Sequence, residues 1–257
     1  MLIGLLISLI FGTTGGAESE FASYIPNIKK EIRQNVSEEA RKDTLMVLVK
    51  DFEGTIKKYE KKKKKLTKNM NKAGADRAVS TEDFLLSYDE YYNTRIQVQS
   101  QLISYRLMFQ EKLTQYELLG ITEEALKTST KAKRKEEKQA GKLDKNFRKV
   151  FQDINDIILK HIPDTAKTMI LAEYLQDFGN TVYTYVNESQ SLNIERKVML
   201  NKQDASREDI ADMFERSNQL RYQASREFAA LREQIIMYTN EREWKAINKE
   251  LKVFLKS

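Results

Sequence analysis

The feature of this sequence that most constrains its fold is an internal repeat. A shift of 126 positions aligns residues 25–121 with residues 151–247 without a gap, and the identities are spread along the whole alignment. The nonapeptide DFEGTIKKY at 51–59 corresponds to DFGNTVYTY at 177–185. Two unrelated amphipathic helices of similar composition would share some residues, but a register that never slips favours duplication of one unit. We call residues 25–121 the first segment and residues 151–247 the second segment.

Composition predicts that this unit is helical. The 257 residues include only two prolines and nine glycines, with a bias towards Lys, Glu, Gln, Leu and Ala, which favours long uninterrupted helices. Cysteine is absent, which excludes disulfide scaffolds, thiolate metal sites and cysteine nucleophiles. We therefore expect an all-α protein with few, long elements.

Each segment is predicted to contain three helices. The first is short, and its apolar positions Ile25, Ile28 and Ile32 recur every three or four residues. A long helix follows, to about residue 72 or 203, and a third helix starts after a serine N-cap at Ser80 or Ser206 and ends near residue 120 in the first segment. The two long helices should pair as an antiparallel hairpin. The expected architecture is two tandem, diverged helical-bundle repeats, elongated overall, with residues 248–257 ending the last helix.

Repeated polar residues predict contacts within each hairpin. Asp51, Thr55 and Tyr59 are spaced four apart on the second helix, while Arg95, Arg106 and Glu117 are spaced eleven apart on the third. Because buried ions need partners, we interpret these as structural pairs that set the register, rather than as a ligand site. The predicted pairs are Asp51 with Arg95 or Arg106, and Asp177 with Arg221 or Arg232.

The chain begins with an apolar stretch. Residues 1–17 read MLIGLLISLIFGTTGGA, and the run from Leu2 to Phe11 has the length of an export-signal core and is too short for a spanning helix. Small residues at 15 and 17 allow cleavage before Glu18, although no basic side chain precedes the run. Three hypotheses remain: a cleaved signal peptide, an uncleaved N-terminal anchor, and a buried helix.

Positive charge is concentrated in two stretches. Lys57 to Lys72 holds nine basic residues and one acidic residue, and Lys127 to Lys149 holds ten basic and three acidic residues, although the whole chain carries only +6. The second stretch lies in residues 122–150, which have no counterpart in the repeat and are predicted to be a basic linker or solvated helix. The first interpretation of both stretches is a solvated helix face; the alternative is a surface that binds an anionic membrane, a lipopolysaccharide or another polysaccharide, or an acidic protein. The candidate residues are Lys61, Lys62, Lys63, Lys64, Lys65, Lys68, Lys131, Lys133, Arg134 and Lys135.

No catalytic, cofactor or metal site is predicted. The sequence has neither a glycine-rich phosphate loop nor a serine elbow, and its single histidine, His161, would have to serve any histidine-based mechanism. No paired Glu-x-x-His motif indicates a di-iron bundle. Trp244 aligns with Leu118, which favours packing over ligand stacking. The basic runs lack the interleaved aromatic residues used for single-stranded nucleic acid, so nucleic acid is disfavoured as a partner.

The sequence therefore favours an exported, non-catalytic interaction or scaffold protein of a bacterial-type cell envelope, such as the periplasm, that binds a protein partner or forms homo-oligomers. The first alternative is a binder of anionic surfaces, and an enzyme of unknown type is the second. Residues shared by the two segments should be mainly architectural. We expect function in what the segments do not share, namely the lysine-rich end of the first long helix and the basic linker.

Overall fold

A computed structural model describes residues 17–118, 120, 149, 151–162, 164–201 and 204–254, and every regular element in these ranges is a helix. The helices are α1 (Ala17–Asn35), α2 (Glu39–Ala75), α3 (Thr81–Lys112), α4 (151–160), α5 (Thr165–Asn201), α6 (Arg207–Tyr238) and α7 (Glu241–Phe254), and residues 115–118, between α3 and α4 in the chain, are helical as well. The predicted linker at 122–150 and the N-terminal stretch at 1–16 lie almost entirely outside the described residues. The all-α prediction is confirmed.

Helices at aligned positions have equal lengths. The helices α2 and α5 have 37 residues each, and α3 and α6 have 32 residues each. The first residues of α2 and α5, Glu39 and Thr165, are 126 positions apart, as are those of α3 and α6, Thr81 and Arg207. The offset found in the sequence is therefore also the offset between the helix boundaries.

Serine caps start the third helix of both segments, as predicted. The Ser80 side chain accepts a hydrogen bond from the backbone N–H of Asp83 at 3.0 Å, and Ser206 accepts one from Asp209 at the same distance. In the second segment the Asp209 carboxylate also accepts from the Ser206 backbone, which completes a capping box. These caps satisfy N–H groups that the first turn of a helix leaves without backbone partners.

The predicted end of the third helix near residue 120 is wrong. The helix α3 ends at Lys112, and α6 ends at the aligned Tyr238. A new cap follows each end: the backbone N–H of Thr114 donates to Glu117 at 2.8 Å, and that of Asn240 donates to Glu243 at 2.7 Å. Each glutamate therefore lies on the next helix and cannot continue the arginine stripe, because the helical register is broken between them.

The helices pack with α3 and α6 at the centre. The helix α2 lies against α3, and α5 lies against α6, while α3 and α6 contact each other. Phe52 of α2 contacts Phe109 of α3 with ring centroids 6.3 Å apart, and the hydroxyls of Thr55 and Tyr105 are 3.1 Å apart. Since the partner number falls as the α2 number rises, α2 and α3 are antiparallel. The helix α1 packs against the first half of α2 and the second half of α3.

Helices α3 and α6 are antiparallel as well, and they meet through a polar centre. Phe84 contacts Phe228 at 5.8 Å between ring centroids, whereas Arg207 donates to Ser104 at 3.1 Å. Between these ends the Gln99 and Asn218 side chains exchange two buried hydrogen bonds, at 3.3 and 2.7 Å. This buried amide pair helps to fix the alignment of the two helices, because sliding either helix along the other would break both hydrogen bonds.

Two hydrophobic cores are shared between the segments. One joins Leu66, Met70 and Phe84 of the first segment to residues of α4, α5 and α7 in the second. The other joins α1 and the start of α2 to Ala205, Ile210 and Met213 of the second segment. The expectation of two separate bundles is therefore not met, because the tip of each long-helix pair needs the base of the other to cover its apolar side chains.

Candidate functional site

The strongest candidate site is a row of lysines on the C-terminal half of α2. We call Lys57, Lys61, Lys64, Lys68 and Lys72 the lysine ridge. Their spacings of four, three, four and four residues place them on one face of the helix, over about 22 Å at 1.5 Å per residue. The buried residues Tyr59, Leu66 and Met70 occupy the opposite face. The ridge therefore points directly away from the core.

All five ridge lysines are exposed, and Lys58, Lys62 and Lys65 flank them with exposed side chains. Lys63 lies on the inner side, where its Nζ is 5.8 Å from the Tyr59 ring centroid and 3.5 Å from Glu60. Among the described residues, this glutamate makes the only ion pair with a lysine of the stretch 57–72. The Glu53 carboxylate, four residues before Lys57, interacts electrostatically with that lysine. Within the part of the chain that the structure describes, the remaining charge of the ridge is left to solvent, ions or a partner.

The aligned face of α5 has a different chemistry. Residues 183–198 include two acidic and two basic residues, so this stretch has no net charge where its counterpart carries +8. Tyr183 and Asn187 take the places of Lys57 and Lys61. The two outer helices thus share their length and their position beside a central helix, and differ in the charge of the outward face.

The lysine ridge contains only some of the predicted lysines, and it adds two others. The predicted Lys61, Lys64 and Lys68 share this exposed face with Lys57 and Lys72, which belong to the basic stretch 57–72 but are not among the predicted site residues. The signal that identifies them is the four-residue spacing from Lys61 and Lys68. The other predicted basic residues, Lys131, Lys133, Arg134 and Lys135, lie outside the described residues.

The predicted aspartate–arginine pairs are not supported. Asp51 and Asp177 are exposed, whereas Arg95, Arg221 and Arg232 are buried and Arg106 is half-buried. The alternative that pairs Asp177 with Arg232 is wrong, because Arg232 donates to backbone carbonyls instead. Asp51, Thr55 and Tyr59 are four residues apart, and each step of four residues exceeds one helical turn by about 40°. The row therefore winds around the helix, from Asp51 on the solvent side to Tyr59 in the core.

Arg232 holds the tip of the first segment. It donates to the carbonyls of Gly74 at 3.0 Å, Asp76 at 2.6 Å and Val79 at 2.9 Å. Burial lowers the pKa of Arg232, and the nearby Asp76 carboxylate partly opposes this shift. A cation at the C-terminal end of α2 also complements the partial negative charge of that helix end.

Two further residues complete this junction. The Trp244 indole donates to the Ala75 carbonyl at 3.1 Å, and Arg77 reaches back to the Ile236 carbonyl at 2.7 Å and the Thr239 hydroxyl at 3.0 Å. Sequence reasoning missed this junction, because its partners lie more than 150 positions apart and no local pattern links them. The junction is structural, since its donors are directed at backbone groups of the turn.

The polar centre of the molecule also has a structural explanation. Burial raises the pKa of Tyr88, whose hydroxyl forms a hydrogen bond with Ser225 across the α3–α6 contact. The Arg221 guanidinium lies 6.0 Å from the Tyr185 ring centroid, an arrangement that stabilises a buried cation. At the end of α4, Lys160 contacts Glu250 of α7 at 2.8 Å, and His161, the next residue after the helix, contacts Glu250 at 2.7 Å.

Within the described residues, no three His, Asp or Glu side chains are grouped closely enough to hold a metal ion. A shallow open groove beside the ridge is lined by ridge lysines together with Glu60, Thr67 and Asn71. In the part of the chain that is described, no helix combines the length and apolar character needed to cross a membrane. The ridge therefore remains the feature with the clearest capacity for binding.

Comparison with known proteins adds no further information, since no family model, curated protein or solved structure matches the chain.

Proposed function

We propose that this protein is an exported, non-catalytic helical binding protein of a cell envelope, and that the lysine ridge is its binding face. The proposal rests on the positive charge of the ridge, which no other helix of the described chain neutralises. Five exposed lysines form one row, and among the described residues no carboxylate from another helix pairs with them. Like charges at four-residue spacing destabilise a helix slightly. A negatively charged partner would be attracted to the lysines, and its binding would reduce the repulsion between them.

The proposal includes duplication of one helical unit. Equal helix lengths, the constant offset of 126 residues and the paired caps at Ser80 and Ser206 support two copies, each with a long antiparallel hairpin. In this interpretation the shared residues maintain the architecture, and the first copy carries the charge. The long helices act as a rigid support for the ridge.

Crosslinking in the native cell tests this function. A photo-reactive residue at Asn69, an exposed position close to the ridge, is compared with one at Asn187 on the outer face of α5. We expect products from Asn69 that decrease when the five ridge lysines are replaced by glutamine, because the partner is held by their charge. Equal yields with and without the ridge lysines would contradict the proposal. Fractionation of the same cells tests export.

A second candidate function is binding of a protein partner through apolar contacts. Met169, Ile170 and Tyr174 near the start of α5 are exposed, with Met169 at 67 %. Exposed apolar residues that lie close together in a helix are a common feature of protein interfaces. Capture of one partner that resists high salt and is lost in the M169S variant supports this candidate, whereas salt-sensitive capture that needs the ridge supports the first.

A further inference from the structure

The composition of the ridge identifies the chemistry of its partner. All nine basic residues from 57 to 72 are lysines, and the single aromatic residue in the stretch, Tyr59, is buried. Arginine, tyrosine and tryptophan dominate the energetic centres of protein interfaces, where lysine is depleted. Single-stranded nucleic acid is bound with aromatic platforms. A lysine-only surface is instead typical of attraction to many mobile anionic groups without fixed geometry, because lysine is a flexible, hydrated point charge.

The shape of the ridge also limits the kinds of partner that could bind to it. The ridge follows the outer, convex side of a single helix, over a length of about 22 Å. A convex row of charges touches a plane along its whole length, whereas the open groove beside it is lined by only three of the five ridge lysines, Lys61, Lys64 and Lys68. Among the described residues, no large apolar side chain is exposed between positions 57 and 72. The surface therefore has no group that would enter the hydrocarbon region of a bilayer.

We propose that α2 lies lengthwise on a bilayer that contains anionic phospholipids, with the lysine ridge against the headgroups and no side chain inserted. This inference rests on the proposed function, in which the ridge is the binding face, and it names the partner. Adsorption of this kind is reversible and weakens as salt screens the charges. The outer face of α5 then points away from the membrane, because α3 and α6 lie between α5 and α2.

Vesicle sedimentation with the full chain tests the partner. Vesicles of phosphatidylcholine with phosphatidylglycerol are compared with vesicles of phosphatidylcholine alone, at low and at high salt. We expect binding only to the anionic vesicles and only at low salt. Each lysine near such a surface strengthens binding about fivefold, so the variant K57Q/K61Q/K64Q/K68Q/K72Q should bind at least about a hundredfold more weakly.

A variant with the same change of net charge provides the control. It replaces five exposed basic residues elsewhere, K30Q/R33Q/K167Q/R242Q/K249Q. We expect this control to retain most of the binding, because its charges do not form a row. Both variants should stay folded, since glutamine is a good helix former and the changed side chains are exposed. An equal loss of binding in the two variants would overturn the proposal, because net charge alone would then explain it.

Labelling tests the orientation. The chain lacks cysteine, so N69C and N187C each provide a single site for a fluorophore. With a quencher attached to the lipid headgroups, we expect quenching of the label at position 69 and little at position 187. Equal quenching of both labels would overturn the side-on orientation. A rise in the surface pressure of an anionic lipid monolayer that is lost in the ridge variant would overturn the absence of insertion by the ridge.

The failure of this inference can be distinguished from the failure of the proposed function. If the ridge lysines are needed for binding to heparin or to an acidic protein but anionic vesicles are not bound, the lipid partner is wrong and the ridge remains the binding face. If the ridge variant gives the same crosslinks in the cell as the natural protein, the proposed function fails as well.

Discussion

The two outer helices, α2 and α5, are equal in length and stand in matching positions, yet they differ in what they present to solvent. Both bury one apolar face against a central helix, with Leu45, Phe52 and Tyr59 on α2 matched by Leu171, Phe178 and Tyr185 on α5. On the outward side, α2 carries the lysine ridge and α5 has no net charge over the aligned stretch. Packing therefore restrains the residues on one face of such a helix and leaves the charge of the other face free to differ.

The largest expected effect concerns whether the two segments are separate units. If the chain is divided into residues 1–121 and 122–257, each half loses part of both hydrophobic cores. We expect neither half to unfold cooperatively alone, and their mixture to recover helicity and a cooperative transition, as measured by circular dichroism. Cooperative unfolding of either half by itself would show that a segment is self-sufficient.

The second effect concerns the junction that joins the segments. Replacing Arg232 by methionine leaves the carbonyls of Gly74, Asp76 and Val79 without this donor, and should lower the free energy of unfolding by about 2 to 4 kcal/mol. The same change at Arg77, which is only half-buried, should cost about 1 to 2 kcal/mol. Urea unfolding measures both values. A smaller loss for Arg232 than for Arg77 would contradict the central role of Arg232.

Replacing either of two glycines in the aligned nonapeptides by alanine should change the stability of the protein, in opposite directions at the two positions. A Cβ atom at Gly179 would lie 2.5 Å from a ring carbon of Phe151, whereas one at Gly54 would have nothing within 4 Å. We expect Gly54→Ala to stabilise the protein by about 0.5 to 1 kcal/mol through helix propensity. Gly179→Ala should destabilise it by about 1 to 3 kcal/mol through overpacking. Thermal unfolding of both variants is the measurement, and equal signs would refute the difference in packing.

The smallest effect is the pH dependence of the contact between α4 and α7. Hydrogen bonds from Lys160 and His161 hold the pKa of Glu250 below its ordinary value of 4.5. Ionised Glu250 therefore stabilises the folded state above that pH, and the contribution is lost as the pH falls below it. Because the pair is largely solvated, we expect well under about 1 kcal/mol.

The E250Q variant should remove this part of the acid dependence. Unfolding curves for the natural protein and the variant, measured at neutral pH and at several values below 4.5, test the prediction. The difference in stability between the two proteins should shrink as the pH falls. A difference that grows on acidification would mean that Glu250 has the opposite role.

Much of the fold could be predicted, because its signals are local. The spacing of Ile25, Ile28 and Ile32 predicts a helix face that is buried in the structure. The serine caps at Ser80 and Ser206 predict two helix starts to within a residue. The predicted end of α3 was placed too late because Thr114 and Glu117 form a cap within an otherwise helical pattern, where the nearest glycine is Gly120, after the break.

The sequence by itself determined the helical class, the offset between the matching helices and the row of lysines, because these depend on residue type and on spacings within a few turns of one helix. Only the tertiary structure decided that each core is shared by both segments and that Arg232 holds the turn after α2. It also decided that the aspartates face solvent. Such contacts depend on how distant helices are placed against one another, and buried groups take whichever partners that placement brings within hydrogen-bonding distance.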